Sequence, residues 1–142
     1  MRLILDTNVI ISGLIWGGLP RKILDLAREE KVVLYTTPAL IAELADVFSR
    51  EKFAKILSSC NSSPDKIIYG YSVLANIISN AIVERVVPRD ADDDFVIACA
   101  VAASADIIVT GDGDLLVLNP FQNIAILKPS QALHKIENIT IN

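Results

Sequence analysis

The chain has few of the residues that cross-link small proteins or bind soft metal ions. Two cysteines and one histidine occur among its 142 residues, and Cys60 and Cys99 do not have the paired spacing of a zinc site. This scarcity excludes a disulfide framework and leaves no Ser–His–Asp or Cys–His arrangement for a protein nucleophile. We therefore expect a cytoplasmic protein in which Cys99 is a small core residue.

Long apolar runs are also absent. The longest, from Phe95 to Ala105, is interrupted by Ser104 and bounded by aspartates, and it is far shorter than the ~20 residues of a membrane span. The chain is nevertheless 52% hydrophobic, which excludes disorder, and its length predicts a single domain over residues 1–142. The net charge of −4 argues against an extended basic surface for nucleic acid but not against a local basic strip.

Strand-like and helix-like segments alternate along the chain. Short apolar runs predict strands over 2–6, 32–35, 82–87, 107–109 and 124–127. Helical spacing predicts helices over 19–30, 39–49, 51–57, 65–79 and 94–104, the second with Thr37 as its N-cap. This alternation predicts an α/β protein, a three-layer α/β/α sandwich with a mainly parallel, about five-stranded central sheet.

Four carboxylates lie where the carboxyl ends of such strands would meet. Asp6 ends the first strand, and Asp112 follows the fourth. Asp94 begins the helix that leads into the fourth strand, and Glu43 borders the apolar face of the helix after the second. Ligands of parallel sheets bind at this edge. Because converging carboxylates repel one another, a hard cation such as Mg²⁺ or Mn²⁺ is expected between them, as in phosphodiester hydrolysis.

Each acid also has an ordinary structural interpretation. Asp6 could cap the following helix, and Glu43 could be a solvated helix residue. The run Asp90–Asp94 suits a helix N-terminus, and Asp112 and Asp114 suit a turn. The metal site is favoured by their joint placement and not by any one of them.

Four short motifs follow one another in a recognisable order. They are Leu5-Asp6-Thr7-Asn8-Val9, Pro38-x₄-Glu43, Asp94-x₂-Ile97-Ala98 and Val109-Thr110-Gly111-Asp112-x-Asp114-Leu115-Leu116. Together they resemble the PIN-domain family, over nearly the full chain and least between residues 50 and 82. The resemblance is closest to the branch of toxin components of toxin–antitoxin pairs, the VapC-like ribonucleases.

The resemblance implies a Mg²⁺- or Mn²⁺-dependent ribonuclease of α/β/α architecture. It places the family's four catalytic and metal-binding acids on Asp6, Glu43, Asp94 and Asp112. Asp93 replaces Asp94 if the register is shifted by one residue.

Further polar residues match supporting positions of the same family. Asn8 corresponds to the polar residue after the first acid, and Thr110 to a hydroxyl that supports the site. Asp114 is included as a further supporting acid. The resemblance also implies a homodimer, an RNA substrate and, for a toxin, a cognate antitoxin as partners. No membrane association is expected, because no apolar run is long enough for a span.

The resulting hypothesis is a metal-dependent endoribonuclease, and two alternatives stay open. One is a non-catalytic PIN-fold module that binds RNA or a partner, against which the four intact acids count. The other is a phosphohydrolase of small phosphoesters. Its phosphoaspartyl type needs a second aspartate two residues after Asp6, where this chain has Asn8.

Apolar side chains exceed what one small core needs, which predicts a homodimer. Leu14, Ile15 and Trp16 are candidates for exposure, and the interface is expected around residues 14–28 or in the helices between 50 and 80.

A local strip of basic residues is a candidate RNA path, although most lysines and arginines on such helices only form a solvent-exposed face. Its members are Arg21, Lys22, Arg50, Lys52 and Lys55.

Overall fold

The computed structural model describes residues 1–79, 81–83 and 91–141, with the backbone alone at 91–92 and 139–141. Its strands are β1 (Arg2–Leu5), β2 (Val33–Thr36), β3 (Asn76–Ile77), β4 (Ile107–Val109) and β5 (Ala125–Leu127). Its helices are α1 (Thr7–Ile11), α2 (Gly18–Arg28), α3 (Pro38–Phe48), α4 (Glu51–Ser59), α5 (Pro64–Leu74), α6 (Ala91–Ala102), α7 (Gly113–Leu116) and α8 (Pro129–Ile141). A π-helical turn (Ser12–Trp16) joins α1 to α2.

The strands form one parallel sheet in the order β3-β2-β1-β4-β5. In β1, Leu3 and Leu5 belong to the core on one face of the sheet, and Ile4 belongs to the core on the other. Successive strand residues point to opposite faces, so helices cover the sheet on both sides. The predicted three-layer α/β/α sandwich is confirmed.

The third strand lies at a different place from the one predicted. Ile82 and Val83 are not in a strand, so the strand predicted over 82–87 is wrong in its described part, and 84–87 lie outside the described residues. Helix α5 ends at Leu74, five residues before the predicted end at Ser79. The next residues form β3, which pairs with Tyr35–Thr36 of β2.

The junction between the π-helical turn and α2 is tightly built. The guanidinium of Arg21 donates hydrogen bonds to the carbonyls of Gly13 and Leu14, at 2.8 and 2.9 Å. A Cβ atom on Gly13 would lie 2.7 Å from the Leu24 side chain and 3.2 Å from the Pro20 backbone. A side chain at position 13 would therefore require Leu24 and the Pro20 backbone to move. Trp16, at the end of the turn, is 68% exposed.

Helix α3 begins as predicted. Thr37 is its N-cap, and the Thr37 Oγ1 accepts a hydrogen bond from the Leu40 N–H at 3.3 Å. Pro38 occupies the first helical turn, where its missing N–H is not needed. Glu43 lies in the second turn of this helix.

None of the described helices is both long enough and apolar enough to span a bilayer.

Candidate active site

Asp6 ends β1 and begins α1, so it has both a structural and a site position. Its Oδ1 accepts a hydrogen bond from the Thr7 N–H at 2.8 Å, which caps α1. Its Oδ2 accepts from the Thr110 hydroxyl, also at 2.8 Å. The side chain is 7% exposed. The capping role and the placement at the strand edge therefore coexist.

Thr110 joins the ends of β1 and β4. It follows β4 and is completely buried. Its hydroxyl donates to Asp6 and accepts from the backbone N–H of Asp112 at 3.0 Å. One hydroxyl thus connects both predicted strand-end acids. The supporting role that the resemblance implies for Thr110 stays a prediction.

Three acids lie close enough together to hold a cation. One carboxylate oxygen from each of Asp93, Asp112 and Asp114 lies within 4.8 Å of the other two. Asp112 caps α7, and its Oδ1 accepts from the Asp114 N–H at 3.0 Å. Asp93 is contributed by the first turn of α6 and is buried.

This donor set fits a hard divalent cation. All its ligand atoms are carboxylate oxygens, which Mg²⁺ and Mn²⁺ prefer. An octahedral ion with bonds of about 2.1 Å separates opposite ligands by about 4.2 Å. The three oxygens lie within 4.8 Å of one another, so small side-chain movements would bring them to the spacing of such an ion.

Asp94 is not a member of this group, although it is almost completely buried in the same helical turn. Adjacent helix residues point about 100° apart, so Asp93 and Asp94 cannot face Asp112 in the same way. The geometry favours Asp93, the alternative register of the sequence prediction, as the acid opposite Asp112.

Glu43 is connected to Asp6 through Thr7. The Thr7 hydroxyl donates to Glu43 Oε2 at 3.1 Å, while the Thr7 N–H bonds to Asp6. Glu43 is half-buried and Asn8 is exposed. No role for the Thr7 side chain could be predicted from the sequence, because a contact across 36 positions leaves no trace in local spacing.

Four of the five cations in the candidate basic strip have local contacts of their own. Arg21 is bound to backbone carbonyls. Arg50 pairs with Asp46 at 3.9 Å and Lys55 with Glu51 at 3.4 Å. The Lys52 ammonium lies over the Phe53 ring, 4.7 Å from its centroid. These contacts favour ordinary surface roles for Arg21, Arg50, Lys52 and Lys55.

Comparison with known proteins agrees with the geometry. The model of the PIN domain matches residues 2–114. The chain belongs to the PIN-domain family. The resemblance predicted from the four motifs is thus confirmed, and membership supports a nuclease-type hydrolase.

Two similar proteins extend this comparison. An uncharacterized protein of Methanocaldococcus jannaschii, MJ1680, is 41% identical over 119 residues, which cover 83% of this chain and 75% of that protein. A chain from the crystal structure of Rickettsia felis VapBC2, bound to a DNA fragment from their promoter, has a TM-score of 0.59 at 16% identity. The match covers 89% of this chain and 97% of that one, and the likeness is one of fold.

Proposed function

We propose that this PIN domain is a metal-dependent endoribonuclease that hydrolyses phosphodiester bonds of RNA. The observation that carries the proposal is the oxygen-only group of Asp93, Asp112 and Asp114 beside Asp6, at the carboxyl edge of the sheet. Structural capping explains Asp6 and Asp112, but it does not explain why buried Asp93 has a carboxylate oxygen within 4.8 Å of those of Asp112 and Asp114. A cation explains why the fold tolerates this concentration of negative charge.

Asp93, Asp112 and Asp114 would hold the principal Mg²⁺ or Mn²⁺ ion, with Asp6, Glu43 and Asp94 as the further acids of the site. When bound, such an ion lowers the pKa of water and offsets negative charge on phosphoryl oxygens. The protein's own part is positional. Thr110 fixes Asp6 against Asp112, and the N-caps of α1 and α7 keep both carboxylates at the strand ends.

Cleavage of a mixed RNA pool tests the proposal directly. We expect cleavage with Mn²⁺, none with excess EDTA, and none by Asp112→Asn, which removes charge without changing shape. Unchanged cleavage in EDTA would contradict metal dependence. Hydrolysis of p-nitrophenyl phosphate without RNA cleavage would favour a small-phosphoester phosphohydrolase, and RNA binding without cleavage would favour the non-catalytic module.

The choice between the adjacent acids of α6 has its own experiment. We expect Asp93→Asn to weaken Mn²⁺ binding by at least tenfold in calorimetry and Asp94→Asn to weaken it less. The two variants carry the same charge change one residue apart, so each controls for the other. The opposite order would restore Asp94 as the ligand.

We further propose that this PIN domain is the toxin of a toxin–antitoxin pair and forms a homodimer. The exposed apolar side chains support a protein interface. Trp16 and Leu19 lie at the π-helical turn and the start of α2, and Tyr69 and Val73 lie on α5. Between α2, β2 and α5 there is an open cavity of about 790 Å³, lined mainly by apolar side chains.

The dimer is tested by light scattering at micromolar concentration. We expect a mass near twice the 15.4 kDa of the chain, and Tyr69→Lys or Val73→Lys to reduce it by introducing unpaired charge into the interface. Val117→Lys is the matched control, at an exposed apolar residue outside the expected interface. A monomer mass for the unmodified protein would contradict the dimer and leave the nuclease proposal intact.

A further inference from the structure

Thr7 lies between two of the acids of the site and contacts both. Its backbone N–H donates to Asp6 Oδ1 at 2.8 Å, and its hydroxyl donates to Glu43 Oε2 at 3.1 Å. We propose that Thr7 is a positioning residue that orients the Glu43 carboxylate toward the cation site. This inference rests on the proposed function, because an orientation matters only if the site binds a cation.

The hydroxyl of Thr7 is a well-fixed donor. Thr7 is 4% exposed and is the first residue of α1. A β-branched side chain in a helix has few χ1 choices, and burial restricts them further. The donor therefore has a defined position relative to Asp6, whose N-cap bond fixes the same residue from the backbone side.

Glu43 needs such a constraint more than the aspartates do. Its carboxylate is at the end of a longer side chain on α3 and is half-buried, whereas Asp6 and Asp93 are short and buried. A glutamate loses more rotamer freedom when it is ordered. A hydrogen bond to one carboxylate oxygen selects among those rotamers, and partners of this kind around metal ligands commonly change affinity by about 10- to 100-fold.

A purely structural role does not require the hydroxyl. Valine has almost the same shape as threonine and would fill the same buried volume. In helix interiors a threonine hydroxyl often bonds to the carbonyl three or four residues earlier. At the first position of α1, however, the preceding residues belong to β1 and the N-cap and not to a helix. The hydroxyl instead bonds to a predicted metal ligand.

The test compares Mn²⁺ affinity, measured by calorimetry on the full chain, in Thr7→Val and Thr7→Ser. We expect Thr7→Val to weaken binding by about tenfold, and Thr7→Ser, which keeps the hydroxyl, to restore most of the affinity. In a Glu43→Ala background, Thr7→Val should have no further effect. Thr7→Ala is measured in parallel, so that a folding defect specific to valine does not decide the result.

The matched control is Thr37→Val. This substitution also removes a buried threonine hydroxyl, from the N-cap of the helix that carries Glu43. We expect it to lower the melting temperature and leave Mn²⁺ affinity unchanged. If the wild-type protein, Thr7→Val and Thr7→Ala bind Mn²⁺ with equal affinity, the inference about Thr7 is overturned and the proposed function is not. A wild-type protein that binds no Mn²⁺ would overturn the proposed function and this inference with it.

Discussion

Tyr71 of α5 is buried in the core beside α3, but its hydroxyl has no hydrogen-bond partner among the described residues. Burying a hydroxyl without a partner costs desolvation free energy that no hydrogen bond offsets. We therefore expect Tyr71→Phe to leave the free energy of unfolding unchanged or to raise it by up to about 1 kcal/mol, measured by urea denaturation. Tyr69→Phe on the same helix, at an exposed position, is the control. A loss of 1 kcal/mol or more would mean that the hydroxyl has a partner.

A buried thiol and a buried phenolic hydroxyl predict how stability changes at alkaline pH. Burial raises the pKa of the Cys99 thiol from 9.0 to about 12. Burial, with Cys99 nearby, also raises the pKa of the Tyr71 hydroxyl above its ordinary 10.0. Both groups are neutral when protonated, so the unfolded chain loses their protons at lower pH than the folded chain. Their stabilisation is complete below about pH 9 and is lost progressively toward pH 12.

The measurement is the free energy of unfolding between pH 8.5 and 10.5. We expect it to fall as pH rises, with a limiting slope of about 1.4 kcal/mol per pH unit for each group. Cys99→Ala should flatten this slope at the start of the range, whatever its effect on stability at neutral pH. An identical slope in Cys99→Ala would show that the Cys99 thiol does not contribute to the pH dependence of stability.

At the scale of elements, two glycines predict opposite effects of the same substitution. Gly13 in the π-helical turn lies directly against Leu24 and Pro20, whereas a Cβ on Gly70 in α5 would meet nothing within 4 Å. We expect Gly13→Ala to destabilise the protein by about 1–3 kcal/mol through overpacking. Gly70→Ala should stabilise it by about 0.5–1 kcal/mol, because alanine favours the helix. Thermal and urea denaturation of the two variants check the direction of each change in stability. A Gly13→Ala variant as stable as the wild-type protein would contradict the close packing around Gly13.

The elements that the sequence predicted correctly have strong local signals. Thr37 followed by Pro38 is typical of a helix start, and the apolar runs of β1, β2 and β4 are bounded by polar residues. Strand β3 has only two residues, too few to show a period of two. Contacts with β2 stabilise it. The Ile78 N–H donates a hydrogen bond to the Thr36 carbonyl at 2.9 Å, and the Asn76 side-chain amide donates to the Leu34 carbonyl at 3.2 Å. No local pattern encodes these contacts.

The candidate site likewise has residues that local sequence signals predict and residues whose contacts depend on tertiary structure. Asp6 and Asp112 could be predicted because they lie at the ends of apolar runs. The choice between Asp93 and Asp94 depends on the rotation of α6, which begins at Ala91 and not at the predicted residue 94. The Thr7–Glu43 contact depends on how α1 lies against α3. Sequence therefore predicted the edge of the sheet at which the acids meet, and tertiary structure decides which of them face one another.

For the molecule as a whole, the acid cluster predicts that cation binding stabilises the fold. An ion that binds only the folded chain raises its stability by about 2.7 kcal/mol at a concentration of 100 Kd. We expect Mn²⁺ to raise the melting temperature and EDTA to reverse the change. In Asp112→Asn the Mn²⁺ effect should shrink, while the metal-free protein becomes as stable or more stable because like-charge repulsion is relieved. A melting temperature independent of Mn²⁺ in the wild-type protein would contradict a cation site.

The exposed Trp16 gives the chain a fluorescence reporter that needs no label. It is the only tryptophan in the sequence, and it lies at the end of the π-helical turn with most of its surface in water. In the separated monomer its emission maximum should therefore be close to that of free indole in water and should shift little when the chain unfolds. A blue shift at constant fold would instead report that a second molecule, such as the partner in a homodimer, covers this end of α2, so emission spectra would separate association from unfolding.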